Sequence, residues 1–200
     1  MDRVVLRRIG PGELADAETR GLAEVYEQVA GDFVPPLTFR SGTTQSGLRD
    51  LEHAGSDDYF EQMLGQDLIV ATQADRVVGF LSFRARYEDP RFPRVCPCIY
   101  VSTIAVRHDQ RRNGIAKQLY THLFELPGDL PDWVVLRTWS TNTGHLRLLA
   151  DLGFAMIFSI PDDRAENIDT VYLAAPRATS ADDETRGSAH TAARNVPDLA

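Results

Sequence analysis

Cysteine is almost absent from this 200-residue chain, with Cys96 and Cys98 as its only two. Two thiols cannot frame a disulfide scaffold, and a Cys-Pro-Cys triplet alone supplies too few ligands for zinc, so no metal is expected. Also missing is any apolar run near the roughly 20 residues that a membrane helix needs, which excludes a spanning segment. The start, Met1-Asp2-Arg3, lacks the apolar stretch of a signal peptide, and the expected address is the cytoplasm. Positive charge is in deficit: 21 basic residues against 29 acidic ones give a net charge of −8. Binding to nucleic acid needs clustered positive charge, so neither nucleic acid nor membrane is an expected partner.

What is present is enough for one core. The chain is 43% apolar and 25% charged, the balance of a globular domain. Residues 1–175 read as that domain. From Pro176 to Ala200 the only large apolar side chains are Val196 and Leu199, and a segment so polar cannot offset its ordering entropy. It reads as a disordered polar tail.

Strand and helix signals alternate through the domain. Val4–Ile9 reads as a strand closed by Gly10-Pro11-Gly12. Leu22, Val25, Tyr26 and Val29 fall on one face of a helix. A loop at 31–47 and an interrupted helical stretch from Leu48 to Leu64 follow. Leu68–Thr72 and Val77–Arg86 suggest a hairpin around Ala74-Asp75. Ile99–Val106 is a strand, Ile115, Leu119 and Leu123 mark a helix, and Trp133–Thr138 is another strand. A helix from about Thr141 to Leu152 ends at Gly153. Phe154–Ile160 and Thr170–Ala174 complete the pattern, an α+β (mixed α/β) domain around a central sheet.

Chemistry concentrates where the Ile99–Val106 strand runs through Arg107-His108-Asp109-Gln110-Arg111-Arg112-Asn113-Gly114 into a helix. A helix amino terminus presents unpaired N–H groups, Gly114 lets backbone approach a ligand closely, and the arginines add charge. That combination suits a pyrophosphate. It is neither a Walker loop nor GxGxxG. Its alternative is a basic loop that merely caps a helix.

Arg111-x-x-Gly114-x-Ala116, after a strand ending Ile104-Ala105-Val106, resembles the acetyl-CoA signature of the GNAT superfamily of N-acetyltransferases. Asn142, followed eleven and twelve residues later by Gly153-Phe154, resembles a second segment of that superfamily. The resemblance implies a twisted, mostly antiparallel sheet flanked by helices, and direct transfer of acetyl from acetyl-CoA to an amine in a ternary complex. It assigns the pantetheine arm to Ile104, Ala105 and Val106, and the pyrophosphate to Arg111, Arg112, Asn113, Gly114, Ile115 and Ala116, with Asn142 a further cofactor contact. A backbone N–H near Val106 would polarise the thioester carbonyl.

The chain departs from the family at the catalytic positions. Leu149 stands where many relatives carry a tyrosine acid, and Tyr100 and Ser102 stand where relatives often place a glutamate. Tyr100, Ser102 and His145 are therefore the catalytic candidates, with Glu88 and Asp89 as alternative bases. Relatives use their first two helices and the connecting loop to shape the acceptor side. From Glu13 to Asp67 this chain has twelve acids and three arginines, a net of −9, which suits a cationic acceptor. The expected acceptor is a small-molecule amine. A peptide amino terminus or lysine, and a non-catalytic acyl-CoA-binding regulator, are the competing readings. A homodimer is compatible with the resemblance.

Overall fold

A computed structural model describes residues 3–44 and 56–177. The strands are β1 (Val5–Ile9), β2 (Asp67–Gln73), β3 (Arg76–Tyr87), β4 (Cys98–Val106), β5 (Trp133–Trp139), β6 (Ala155–Ala165) and β7 (Ile168–Pro176). The described helices are α1 (Asp16–Val29), α2 (Ser56–Leu64), α3 (Ile115–Phe124) and α4 (Thr143–Asp151). Most of the expected tail, and the start of the interrupted helical stretch, lie outside the described residues.

The seven strands form one sheet in the order β1-β2-β3-β4-β5-β7-β6. Every pairing is antiparallel except β4 with β5. The fold is the mixed α+β class expected. Strand alternation sends one set of side chains to each face. Leu22, Val25 and Val29 of α1 and Met63 of α2 pack with Leu68, Val70 and Phe80 on one face. Leu119, Tyr120 and Leu123 of α3 and Leu149 of α4 pack with Leu81, Val101 and Leu136 on the other.

The β2–β3 turn falls at Ala74-Asp75, both with positive φ (49° and 59°), the geometry of a tight hairpin. The last hairpin is longer than its sequence suggests. The expected strand ends at Ile160, yet β6 continues through Pro161 to Ala165 with an irregular register, and the chain turns at Asn167, φ 60°. β6 is an edge strand, where a proline removes no needed ladder bond. Gly153, φ 86°, closes α4: its N–H bonds the Ala150 carbonyl and the Phe154 N–H bonds the Leu149 carbonyl, both at 3.0 Å.

Gly79 lies opposite Val106, where β3 and β4 approach closely. A Cβ added there would stand 2.8 Å from the Ala105 carbonyl oxygen. We predict that Gly79→Ala destabilises the fold by about 1–3 kcal/mol, the usual range for overpacking. Urea denaturation should show a lower midpoint at unchanged slope. An unaltered midpoint would show that the strands yield freely at this position.

Candidate active site

β4 and β5 are hydrogen-bonded only over Ile99–Val101 and Val134–Leu136. Beyond Val101 they part. The parting coincides with a bulge: Phe83 opposes Val101 and Ser82 opposes Thr103, so Ser102 is an extra residue. Past it, β4 remains paired with β3 as far as Val106, and the Arg107 N–H bonds the Val78 carbonyl at 3.0 Å. Antiparallel pairing alternates, so counting back from Arg107 turns the N–H and C=O of Ile104 and Val106 away from β3 and into the gap. The Val106 carbonyl there accepts from Arg111 Nε at 3.3 Å.

The gap is a cavity of about 480 Å³ that reaches both faces of the sheet. Ala116, Tyr120, His145 and Leu148 line it on the α3/α4 side, and Val29, Phe33, Arg40, Trp139 and Arg164 on the α1 side. β5 serves both. Leu136 packs in the α3/α4 core and Thr138 accepts from Asn142 Nδ2 at 3.2 Å, while Trp139 meets the Phe33 ring at 5.8 Å on the other face. A second recess of about 280 Å³ adjoins it, lined by Arg111, Arg112, Gly114, Ala116 and Lys117.

That recess is the strand-to-helix loop. After a tight turn at His108–Gln110, Arg112 (φ 65°) and Gly114 (φ 75°) take left-handed conformations and α3 begins at Ile115. The Gln118 N–H bonds the Gly114 carbonyl at 3.0 Å. Helix geometry leaves the N–H groups of Ile115, Ala116 and Lys117 without intrahelical partners. The nearest heavy atom to a Cβ built on Gly114 is Gln118 Nε2 at 4.0 Å, so the glycine keeps a bare backbone surface beside the recess.

Much of the loop's positive charge is matched internally. Arg107 Nη1 pairs with Glu24 at 3.1 Å. Arg111 and His108 converge on Asp32 at 2.5 and 2.8 Å. Burial works against ionisation of Asp32, but hydrogen bonds from Arg111 and His108 hold its carboxyl below the usual range. Arg112 and Lys117 are exposed.

Residues 38–154, more than half of the chain, match the acetyltransferase (GNAT) family. The chain belongs to this family. The Escherichia coli ribosomal-protein-S18-alanine N-acetyltransferase is similar in structure, with TM-score 0.60 and 16% identity over 88% of this chain and 96% of that one. The ribosomal-protein-alanine N-acetyltransferase of Brucella melitensis gives TM-score 0.60 and 17% identity, covering 86% and 99%. A protein provisionally assigned as a phosphinothricin N-acetyltransferase gives TM-score 0.61 and 16% identity, covering 88% and 100%. At these identities the likeness shows the fold. None of the curated proteins matches the chain in sequence.

This GNAT chain brings Ser102, Ile104, Ala105, Val106, Arg111, Ala116, Asn142 and His145 to the cavity, and Arg112, Gly114 and Ile115 to the adjoining recess. Asn113 lies exposed in the same loop. Asn142 is the residue that opens α4, but its side chain donates to Thr138 instead of capping the helix. Tyr100 does not line the cavity. It is buried beside Tyr87, ring centroids 4.5 Å apart, and burial pushes its hydroxyl pKa up. Leu149 is fully buried in the core. Glu88 is exposed, and Asp89 is held by Arg91 at 2.8 and 2.5 Å, away from the cavity. Among the described residues, the acids behind the expectation of a cationic acceptor do not gather at the cavity. Glu18, Glu24 and Asp67 pair with Arg7, Arg107 and Arg8 outside the cavity, and among the described acids only Asp32 lines it.

Four lining residues escape a reading of the sequence: Arg40, Tyr120, Arg137 and Arg164. Tyr120 occupies a core position of α3, and its hydroxyl lies 2.9 Å from His145 Nε2. Arg137 alternates with apolar neighbours in β5, and Arg164 falls where β6 runs past its proline. A charge within a largely apolar strand is the available signal for Arg137; nothing local marks the others.

Burial drives the His145 pKa down to about 4, so the ring is neutral near pH 7. Above the unfolded value of about 6.5 the buried neutral ring carries no penalty, and as pH falls from there to about 4 the unfolded chain takes up the proton first, which lowers stability by up to ~3 kcal/mol. We predict that His145→Gln flattens the decline in stability across this window, as measured by denaturation at several pH values. Parallel profiles for the two proteins would refute a buried neutral imidazole.

Proposed function

We propose that the protein transfers an acetyl group from acetyl-CoA to a primary amine of a small molecule, directly, in a ternary complex. The observation that carries this reading is the open edge of β4, which turns the N–H and C=O of Ile104 and Val106 into a cavity continuous with the Gly114 recess. The residues fit the donor. The open edge matches the amides of a pantetheine arm, and the free N–H groups at the start of α3, with Arg112 and Lys117, match a pyrophosphate. Bound acetyl-CoA supplies the activated acyl carbonyl.

The chain's own groups divide the remaining tasks. An N–H at Ile104 or Val106 donates a hydrogen bond that polarises an acyl oxygen. Ser102 Oγ, buried at the bulge with no hydrogen-bond partner among the described residues, is placed to hold a water or the entering amine. Tyr120 Oη, 2.9 Å from Nε2 of the neutral His145, is the cavity hydroxyl offered as proton donor where Leu149 cannot serve, although burial pushes its pKa up. An acceptor half walled by Phe33 and Trp139 supports a small acceptor over a folded protein.

Leu149 also favours a second reading, a non-catalytic acyl-CoA-binding regulator. Free-thiol release with panels of small amines and peptides separates the two, and the acceptor that releases thiol fixes its class. The amine must lose a proton before attack, so the rate should climb with pH until the free base predominates. No thiol release with any amine, at saturating acetyl-CoA, would leave only the regulator. We further predict that Gly114→Val abolishes acetyl-CoA binding in calorimetric titration while circular dichroism stays native. Unchanged affinity would remove this loop from the donor site.

A further inference from the structure

Resting on the acetyl-transfer reading, we infer that the α1 side of the cavity is an oxyanion site, built from Arg40, Arg137 and Arg164, for an acceptor amine that carries a carboxylate or a phosphorus oxyanion. The three guanidinium groups come from separate places: the segment after the Leu37–Phe39 turn, the middle of β5, and the extension of β6. All three line the cavity. Arg40 and Arg164 are only 3% and 9% exposed.

Among the described residues the hydrogen-bond partners of Arg40 and Arg164 are neutral. Arg40 donates to the Pro35 carbonyl from Nε (3.0 Å) and Nη2 (2.8 Å). Arg164 donates to the Val34 carbonyl (2.7 Å) and Thr170 Oγ1 (2.7 Å). Arg137 donates to the Thr44 carbonyl at 2.6 Å. The Arg40 guanidinium lies over the Phe33 ring at 5.5 Å and that of Arg164 over Trp139 at 6.0 Å. Among the described residues no carboxylate forms an ion pair with Arg40 or Arg164 within 4.0 Å. The nearby Asp163 accepts from Thr170 Oγ1.

Buried charges are ordinarily paired, because desolvation costs several kcal/mol for each ion. Here burial first, and then repulsion from Arg137, lowers the Arg40 pKa to about 10. Burial, with repulsion from Arg40 and Arg137, lowers that of Arg164 to about 9. Among the described residues, carbonyls, a hydroxyl and ring faces fix the forks of Arg40 and Arg164, and only the attraction of Asp163 on Arg164 offsets their charge. An anion entering the cavity would complete the set, and bidentate arginine contacts suit carboxylate and phosphonate alike.

The probes are L-amino acids, their primary amides and the matching 1-aminoalkylphosphonates, assayed by thiol release with wild type, Arg164→Gln and Arg164→Lys. In the wild type the acids or phosphonates should exceed the amides in kcat/KM, and the comparison between them identifies the oxyanion. Arg164→Gln should lower kcat/KM for the anionic acceptors by about 30- to 1000-fold and change that for amides little. Arg164→Lys should restore part of the loss. Calorimetric acetyl-CoA affinity should stay the same in all three, which separates failure here from failure of the donor site. Binding of the acids to the CoA-loaded protein, read by thermal shift, tests the site even without turnover. Amides favoured over acids, equal losses for both, or no thermal shift with any anion would overturn the assignment.

Discussion

Three residue pairs join β4 to β5, and the active site exists because the joining stops there. A parallel pair continued through Val106 would consume the backbone groups of Ile104 and Val106 in a ladder and close the sheet. The bulge at Ser102 ends the match in register while β3 keeps hold of the other edge of β4. One side of the strand is therefore rigid and the other side is open. Open edges invite pairing with other chains. This one is lined by residues of α1, α3 and α4, which cover it from both faces of the sheet.

Tyr59 reinforces the same point. Its hydroxyl lies 2.8 Å from Thr103 Oγ1 and donates to the Ser102 carbonyl at 3.3 Å, which ties α2 to the strand at the bulge. The Tyr59 ring also faces the Arg40 guanidinium at 5.9 Å. One buried aromatic thus links the strand irregularity to the charged half of the cavity. Packing and electrostatics meet in that residue.

The sequence revealed local features better than convergent ones. The strand-loop-helix around Gly114 was legible because its chemistry lies in one unbroken stretch, and the sheet was legible from its period. Charge along the chain did not reveal which charged residues line the α1 side of the cavity. Of the described acids between Glu13 and Asp67 only Asp32 lines the cavity, whereas Arg40, Arg137 and Arg164, far apart in sequence, are brought together there. Tyr100 was misplaced because alternation along β4 sends it to the face packed by Tyr87 and Tyr172, one residue before the strands part. Tertiary convergence of this kind has no period to detect.

Asp32 changes how the donor loop looks from a distance. By answering Arg111 and His108, with Glu24 answering Arg107, the carboxylates of α1 and the turn after it cancel much of the field that four basic side chains in sequence suggest. An anion arriving through solvent is guided weakly, and its rate of capture should depend little on ionic strength. Holding such an anion would fall to short-range N–H groups, and residence, more than encounter, would then set the affinity at that end of the cleft.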